Sequence, residues 1–315
     1  MEPNNTRPIQ AILQQVQKAV VGKDEVLLQV LLAILARGHV LLEDIPGVGK
    51  TTMALAFSKA LGLKYQRVQF TPDVMPSDIT GFSLYNREKG CMEYQPGAVL
   101  CNLFLADELN RASSRTQSAL LEAMEEGQVT VDGVTHPVPK PFFVIATQNP
   151  TGASGTQLLP DSQLDRFAMR LSIGYPSREQ EARMVRQRQG GNPLDQVRRV
   201  LERAELEALC DQVQQVYLCD EVLDYILSLV EETRRDPRVL QGASPRATLS
   251  LVAVSRAMAF VQGRDYVIPE DVSAVFRPVI GHRILLRVPT GGVQQSRGDL
   301  LGEILGRVKA PRLRP

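Results

Sequence analysis

A lysine followed by two threonines, Lys50-Thr51-Thr52, ends a turn rich in proline and glycine. An apolar run precedes this turn and a helix-forming stretch follows it, so backbone N–H groups and the positive end of a helix converge on one point. Phosphate suits such a point, with Lys50 on the β- and γ-phosphates and the Thr51 hydroxyl on Mg²⁺. An ordinary strand-to-helix turn with a solvated lysine is the alternative. The residues expected to hold nucleotide are Asp44, which stands where the usual pattern has its first glycine, and Pro46, Gly47, Val48, Gly49, Lys50, Thr51 and Thr52.

An acidic pair, Asp107-Glu108, ends another apolar segment. Phosphoryl transfer to water needs a second anchor for the cation and a carboxylate that orients the attacking water. We expect Asp107 to act on Mg²⁺, directly or through its water shell, and Glu108 to act on the water. A helix cap by Asp107 with Glu108 in solvent is the alternative. Asn149, which follows a third apolar segment, could touch the γ-phosphate or position the water.

The elements that must position these residues alternate in type up to about residue 175. Short β-type runs alternate with amphipathic stretches, which predicts a parallel sheet with helices on both faces. The carboxyl ends of parallel strands meet at one sheet edge, so the lysine, the acidic pair and the amide can lie together there. The dipeptide Asp132-Gly133, between two alternating segments, predicts a β-hairpin. The predicted strands of the sheet are 39–42, 66–70, 102–106, 142–147 and 170–173.

Beyond residue 175 the β-type runs stop and helical periodicity begins, which predicts a mostly helical second domain. Ser177, Asp220 and Ser244 are candidate helix starts, and Pro245 and Pro269 suit first helical turns. The length of 315 residues has room for about two such domains.

Composition excludes several classes of protein. The net charge is +1, which gives no overall field for nucleic acid or anionic lipid. The four cysteines have neither disulfide-like nor zinc-like spacing, which favours a reducing, cytoplasmic location. No apolar run approaches the roughly 20 residues of a membrane helix, and the first residues do not resemble a signal peptide.

Five motifs together resemble those of the AAA+ ATPases, and more narrowly those of the MoxR family. They are GVGKT at 47–51, FLADELNRA at 104–112, ATQNP at 146–150, LPDSQLDRF at 159–167 and GASPRA at 242–247. The resemblance implies an α/β fold, in which an AAA+ P-loop parallel sheet is sandwiched by helices and followed by a smaller all-helical lid domain. It implies a nucleotide-binding core at 1–175, with a helix-2 insert at about 71–99 and a pre-sensor-1 hairpin at about 127–140, and a lid with a C-terminal tail at 176–315.

The same resemblance implies roles for individual residues. Val21 and Gly22 match the segment that lies against adenine. Lys50 and Thr51 match Walker A, Asp107 and Glu108 match Walker B, and Asn149 matches sensor 1.

Two arginines complete the pattern implied by the resemblance. Arg246 matches sensor 2, and Arg166 matches the arginine finger that serves the nucleotide of a neighbouring subunit. A surface arginine near a helix start is the alternative for Arg246, and local pairing with Asp161 or Asp165 is the alternative for Arg166. A finger implies a homo-oligomer, by resemblance a hexamer, because an isolated subunit lacks the charge stabilisation that the finger supplies.

The hairpin disfavours a nucleic-acid motor, because residues 125–139 contain no lysine or arginine with which to contact phosphates. The resemblance instead implies an Mg²⁺-dependent ATP phosphohydrolase coupled to chaperone-like remodelling, maturation or activation of a partner protein. That partner would often carry a von Willebrand factor A-type domain. Two alternatives stay open, a magnesium-chelatase-like motor for metal insertion and a non-hydrolysing nucleotide-switch scaffold.

Overall fold

The structure is a computed structural model that describes residues 6–44, 47–149, 159–287 and 296–312. The first part of the chain contains the elements α1 (Thr6–Gln17), α2 (Asp24–Leu35), β1 (Val40–Glu43), α3 (Lys50–Ala60), β2 (Tyr65–Gln69), α4 (Pro76–Thr80), β3 (Gly81–Asn86), β4 (Cys91–Pro96), β5 (Leu103–Asp107), α5 (Ser114–Glu126), β6 (Gln128–Val131), β7 (Val134–Pro137), β8 (Phe143–Gln148), α6 (Asp161–Leu164) and β9 (Met169–Leu171). The second part contains α7 (Arg178–Gln189), α8 (Arg203–Gln214), α9 (Asp220–Arg235), β10 (Val239–Gln241), α10 (Pro245–Val261), α11 (Pro269–Ile280), β11 (Leu285–Leu286) and α12 (Arg297–Arg307).

Five parallel strands form the central sheet in the order β2-β5-β8-β1-β9. All five lie where the sequence predicts strands, with ends shifted by one or two residues. Ala106 pairs with Ala146 between β5 and β8, and Glu43 pairs with Gln148 between β1 and β8. This register brings the carboxyl ends of the three strands to one edge, which confirms the predicted α/β arrangement.

The sheet has two apolar faces because successive side chains of a strand point to opposite sides. On one face, Leu42, Leu105 and Ile145 pack in a cluster with α1, α2, α3 and the later helices. On the other face, Phe104 and Val144 pack in a cluster with α5. Every residue of β5 and β8 is buried, as expected for central strands covered on both sides, whereas β2 at the edge is partly exposed.

Two antiparallel hairpins project from the sheet core. The predicted hairpin is β6–β7, and its turn residues Asp132 and Gly133 both have positive φ, 49° and 78°, as a two-residue turn of this kind requires. The second hairpin, β3–β4, lies in the segment expected to be the helix-2 insert. The rings of Tyr94 and His136 stack 3.6 Å apart and join the two hairpins.

The second part of the chain is mostly helical, as predicted. Ser177 and Ser244 cap α7 and α10, and proline begins α10 and α11. The expectation of an all-helical lid needs one correction, because β10 and β11 form a short antiparallel pair. Strands of three and two residues are too short to show a period of two in the sequence. Within the described ranges, no helix has both the length and the apolar character needed to cross a bilayer.

Candidate nucleotide site

A cleft of about 810 Å³ lies at the carboxyl edge of the sheet. Of the residues expected to hold nucleotide, Val21, Gly47, Val48, Gly49, Lys50, Thr51, Thr52, Asp107, Glu108 and Asn149 line this cleft. The other walls are formed by residues near the start of α2, by two side chains of β2, and by α7 with its flanking segments. These additional lining residues are Ala19, Val20, Lys23, Arg67, Gln69, Tyr175, Pro176, Glu181, Met184, Val185, Gln187, Arg188, Asn192, Pro193 and Leu194.

The loop between β1 and α3 has the backbone geometry of an anion cradle. Gly47 and Gly49 have φ values of 87° and 96°, in the left-handed region that side chains disfavour. Gly49 is the residue before α3 and has no side chain to cap the first N–H groups of the helix. Those groups therefore remain suited to a phosphate. Pro46 lies outside the described residues.

Lys50, the first residue of α3, is buried beside the acidic groups that the sequence analysis placed near it. Its Nζ donates a hydrogen bond of 2.8 Å to the carbonyl oxygen of Asp44. Burial lowers the pKa of Lys50, while the negative charges of Asp107, Asp44 and Glu108 oppose that shift. The strand ends of β1 and β5 thus bring the lysine and the acidic pair together, as predicted.

Thr147 of β8 positions the acidic pair. Its hydroxyl donates to Asp107 Oδ1 over 2.7 Å and accepts the N–H of Glu108 at 2.8 Å. Glu108 has φ 57°, an uncommon value for a residue with a side chain. Sequence reasoning missed Thr147 because a buried threonine in an apolar strand resembles a packing residue.

Two arginines that sequence reasoning did not single out bind the acidic pair. Arg67 of β2 donates to Asp107 Oδ2 over 2.7 Å, and Arg111 donates to Glu108 Oε2 over 2.8 Å. Alternation on an edge strand could have indicated Arg67, since Arg67 and Gln69 share one face of β2. Both carboxylates therefore carry a cationic partner in this state of the molecule.

Asn149 lies just beyond the end of β8 and lines the cleft, in agreement with its predicted place. Its carbonyl oxygen accepts Asn110 Nδ2 at 3.4 Å. Asn110 follows the acidic pair by two residues, in a 3₁₀ turn at Leu109–Arg111. The segment after Glu108 therefore contacts the segment that carries Asn149.

The side chain of Asp44 corrects one expectation. Its carboxylate accepts hydrogen bonds from the Ser172 hydroxyl at 3.2 Å, from the N–H of Ile173 and from the N–H of Gly174 at 3.1 Å. The carboxylate is thus bonded to the segment after β9, and Asp44 is not among the residues that line the cleft. The sequence could not show this, because 129 positions separate Asp44 from Ile173.

Arg246 corrects a second expectation, since it does not line the cleft with Lys50, whereas Arg166 lies outside that cleft as expected for a residue that serves a neighbouring subunit. Both bind the carboxylate of Glu125 near the end of α5. Arg166 Nε lies 3.2 Å from Glu125 Oε2, and Arg246 Nη2 contacts Glu125 Oε1. We call Arg166 and Arg246 the arginine pair. The pairing of Arg166 with Asp161 or Asp165, weighed from the sequence, is replaced by this contact with Glu125.

Polar contacts between the lid and the segment that carries Arg166 lie beside the arginine pair. Asp165, beside Arg166, accepts the Ser244 hydroxyl at 2.8 Å, and Ser244 caps the helix that carries Arg246. Arg283 donates to the carbonyl oxygens of Asp165 and Phe167 at 3.1 and 2.8 Å. Burial lowers the pKa of Arg283 to about 10, and the nearby Asp165 carboxylate opposes the shift.

The polar side chains of the cleft fit Mg²⁺ that is shared with phosphate. Within the described parts of the chain, no three His, Cys, Asp or Glu side chains are grouped to hold a metal ion alone. Mg²⁺ usually takes one or two protein oxygens and completes its shell with phosphate and water. Thr51 and Asp107 both line the cleft and supply oxygens of this kind.

Comparisons with known proteins agree with this geometry. Residues 39–169 match the model described as ATPase family associated with various cellular activities (AAA), and residues 231–301 match the AAA lid domain. The fold and the site thus define a P-loop protein of the AAA+ class. YeaC of Bacillus subtilis is 43% identical, over 95% of this chain and 93% of YeaC. Chaperone MoxR1 of Mycobacterium tuberculosis is 38% identical, over 95% of this chain and 81% of MoxR1. The chain belongs to the MoxR family of AAA+ ATPases.

A solved structure supports the same assignment over nearly the whole fold. A crystal structure of a protein from Cytophaga hutchinsonii superposes with a TM-score of 0.89 at 35% sequence identity. The superposition covers 98% of this chain and 96% of that protein. The likeness therefore includes the lid as well as the sheet core.

Proposed function

We propose that this protein hydrolyses ATP with Mg²⁺ and that it uses the reaction to remodel a partner protein. The observation that carries the proposal is the convergence of Lys50, Asp107, Glu108 and Asn149 on one cleft. A lysine on phosphate, an anchor for the cation, a carboxylate for water and a polar sensor are the parts that phosphoryl transfer requires. The presence of Glu108 also weighs against a nucleotide-switch scaffold, which has no need of a carboxylate that orients water.

Each cleft residue has a role that follows from its chemistry. The N–H groups around Gly49 and the ammonium of Lys50 bind the phosphate oxygens, with the triphosphate at the start of α3. Glu108 orients the water for in-line attack, and Asn149 holds the water or the γ-phosphate. Thr51 and Asp107 are the residues that would hold Mg²⁺, which neutralises charge on the phosphates when it is bound.

The position of the arginine pair supports a homo-oligomer, which we propose to be a hexamer. The side chains of Arg166 and Arg246 are 30% and 41% exposed, and their partner Glu125 is 38% exposed. Ion pairs this exposed typically contribute ~0–1 kcal/mol, so stabilisation of the subunit alone does not explain two arginines on one carboxylate. We propose that both arginines exchange Glu125 for the triphosphate of a neighbouring subunit. Arg246 would then act across the interface, as Arg166 does.

Exposed apolar side chains support contact with a protein partner. Phe82, Leu84, Tyr85 and Met92 of the β3–β4 hairpin are each about half exposed or more. Exposed apolar groups of this size, grouped on one hairpin, are typical of protein contact surfaces. By analogy with the relative named chaperone MoxR1, we propose remodelling of a client, with a von Willebrand factor A-type domain as the expected recognition unit. The four cysteines, all in the described ranges, are free thiols, which suits the cytoplasm.

Phosphate release measured over a range of protein concentrations tests the proposal. Wild type should release phosphate, with a specific activity that rises as subunits assemble. Glu108→Gln should retain ATP but lose on the order of 10²-fold or more in rate, because no carboxylate activates the water. Lys50→Ala should lose ATP binding. Glu126→Gln, at the exposed end of α5, is the matched control and should behave as wild type.

The client is tested with the same variants. Glu108→Gln loaded with ATP should retain a purified protein that has a von Willebrand factor A-type domain, and Lys50→Ala should not. Retention of a metal-inserting enzyme instead would favour the chelatase-like motor. Wild type that releases no phosphate, alone or with candidate clients, would favour the scaffold.

A further inference from the structure

The connection between β9 and α7 is held by two opposite charges. We call residues 172–175 the linker. The carboxylate of Asp44 accepts the Ser172 hydroxyl and the N–H groups of Ile173 and Gly174. The ammonium of Lys23 donates to the carbonyl oxygens of Ile173, Gly174 and Tyr175 at 2.7, 3.1 and 3.0 Å. The four residues of the linker thus make six hydrogen bonds with the charged side chains of Asp44 and Lys23.

The two charges come from two different segments of the chain. Asp44 begins the phosphate loop, and its carbonyl oxygen accepts the ammonium of Lys50. Lys23 directly follows the Val21-Gly22 segment and itself lines the cleft. A nucleotide that contacts the phosphate loop and this segment together therefore contacts the two chain segments that carry Asp44 and Lys23.

Helix α7, which follows the linker, has little else to fix its position. None of its residues is buried, although Met184 and Val185 face the cleft and are 37% and 61% exposed. Its contact with the core includes the Gln180 side chain, which donates to the carbonyl oxygen of Gly22 at 2.9 Å. Gly22 has φ 69°, and a Cβ there would lie 2.3 Å from Gln180 Nε2, so the approach requires glycine.

We propose that Asp44 and Lys23 are positioning residues that couple nucleotide in the cleft to the orientation of α7. The inference rests on the proposed nucleotide site. An ordinary connection between a strand and a helix needs no buried carboxylate on its N–H groups and no ammonium on its carbonyl oxygens. Here each charge is compensated by the linker, and each is covalently joined to a segment that the nucleotide touches. This role also accounts for Asp44 in place of a loop glycine, since glycine has no side chain to accept the N–H groups of Ile173 and Gly174.

Hydrogen–deuterium exchange of the intact chain, with and without MgADP, tests the coupling. In wild type, MgADP should slow exchange of the peptides that cover the linker and α7. Asp44→Asn replaces one acceptor oxygen with an amide NH₂ that faces the linker. The backbone amides of Ile173 and Gly174 should therefore exchange about tenfold faster or more. This is the factor expected for the loss of a hydrogen bond to a charged group. Lys23→Met should abolish the response of α7 to MgADP, and Lys23→Arg should restore most of it.

Matched variants separate coupling from folding. Lys18→Met is the control for Lys23, because Lys18 contacts Gln15 and the carbonyl oxygen of Gln196, outside the linker. Asp78→Asn is the control for Asp44, because the carboxylate of Asp78 in α4 accepts the N–H of Met75, the residue before that helix. Both controls should show the wild-type response to MgADP. If Asp44→Asn fails to fold, Lys23→Met decides the test, because Lys23 lies nearer the surface.

Two results would overturn the coupling. The first is that either variant, Lys23→Met or Asp44→Asn, binds MgADP and shows the same change in hydrogen exchange of α7 as wild type. The other is wild type that binds MgADP, as calorimetry would show, with no change in the linker peptides. The exchange experiment requires only that MgADP binds, and hydrolysis plays no part in it. Wild type could therefore show the exchange response in α7 and yet release no phosphate from ATP. That result would contradict the proposed hydrolysis but would support the coupling.

Discussion

The hydroxyl of Thr147 donates a hydrogen bond of 2.7 Å to the carboxylate of Asp107, across neighbouring strands of the sheet. The same oxygen accepts the N–H of Glu108, which holds the left-handed backbone of that residue. One buried side chain therefore positions both members of the acidic pair. No other role is evident for a hydroxyl that is fully buried between apolar strands.

Thr147→Val should lower the rate of hydrolysis more than it lowers ATP affinity. Valine has nearly the same shape but leaves the Asp107 carboxylate without its donor and the Glu108 N–H without its acceptor. Loss of a hydrogen bond to a charged group, here Asp107, costs ~1.5–3 kcal/mol. The expected fall in kcat is about 10- to 100-fold, with KM changed little. Thr130→Val, at an exposed threonine of the hairpin, is the control. Steady-state kinetics with unchanged kcat in Thr147→Val would contradict the assigned role.

Arg67→Met should reduce the Mg²⁺ concentration needed for activity. Arg67 donates to Asp107 Oδ2, so its positive charge competes with a cation for that carboxylate. The side chain is 43% exposed, which limits the effect to a few-fold. Arg67→Lys keeps the charge and should stay near wild type. Titration of phosphate release with Mg²⁺ measures the change, and a higher Mg²⁺ requirement in Arg67→Met would count against competition.

Much of the site was predictable because parallel strands end at one edge. Lys50, Asp107, Glu108 and Asn149 each follow an apolar segment, and the topology of the sheet then brings them together. The partners of Asp44 were not predictable, because they depend on where the chain returns after β9. The position of α7 in the wall of the cleft was not predictable either, because its sequence has no apolar face that indicates a packing partner.

The arginine pair shows a different limit of the sequence. Arg246 was expected near phosphate because it matches sensor 2, and the predicted helix start at Pro245 was correct. Which site that turn faces depends on how the lid packs against α5, and no local pattern encodes this packing. The contact with Glu125 therefore appeared only in the structure.

Acid should destabilise the protein through His39. The ring is buried, and its Nδ1 accepts the N–H of Val144 while Nε2 contacts the carbonyl oxygen of Met124. Burial lowers the pKa of His39 from 6.5 to about 4, with the Met124 contact opposing the shift. Because the unfolded chain binds this proton more readily, the stability contribution is complete above pH 6.5 and falls as pH drops toward 4.

The loss attributable to His39 should reach about 3 kcal/mol near pH 4, by the conversion of a pKa difference into free energy. His39→Asn keeps an acceptor for the Val144 N–H and should flatten the pH dependence between 6.5 and 4. Some acid sensitivity should remain, because burial also lowers the pKa of His282. Urea unfolding at a series of pH values measures the effect, with His136→Asn in the β6–β7 hairpin as the control. Equal slopes in wild type and His39→Asn would exclude His39 as the cause.

Action of the arginine pair across a subunit interface predicts that two inactive variants rescue each other. Arg166→Ala should bind ATP nearly as wild type does, yet lose on the order of 10³-fold in rate. Lys50→Ala should lose nucleotide but keep its arginines. In a mixture, a subunit with an intact cleft can lie beside a subunit with intact arginines, so phosphate release should reappear.

The activity of such a mixture should depend on the ratio of the two variants and should be greatest when both are plentiful. Arg246→Ala mixed with Lys50→Ala should behave in the same way, because Arg246 shares the carboxylate of Glu125 with Arg166. Glu108→Gln mixed with Lys50→Ala is the negative control, since neither variant supplies a complete catalytic cleft. Two results would mean that the arginine pair does not act on a neighbour's triphosphate. One is full activity of Arg166→Ala by itself, and the other is a rate of phosphate release in the mixtures that never exceeds that of the separate variants.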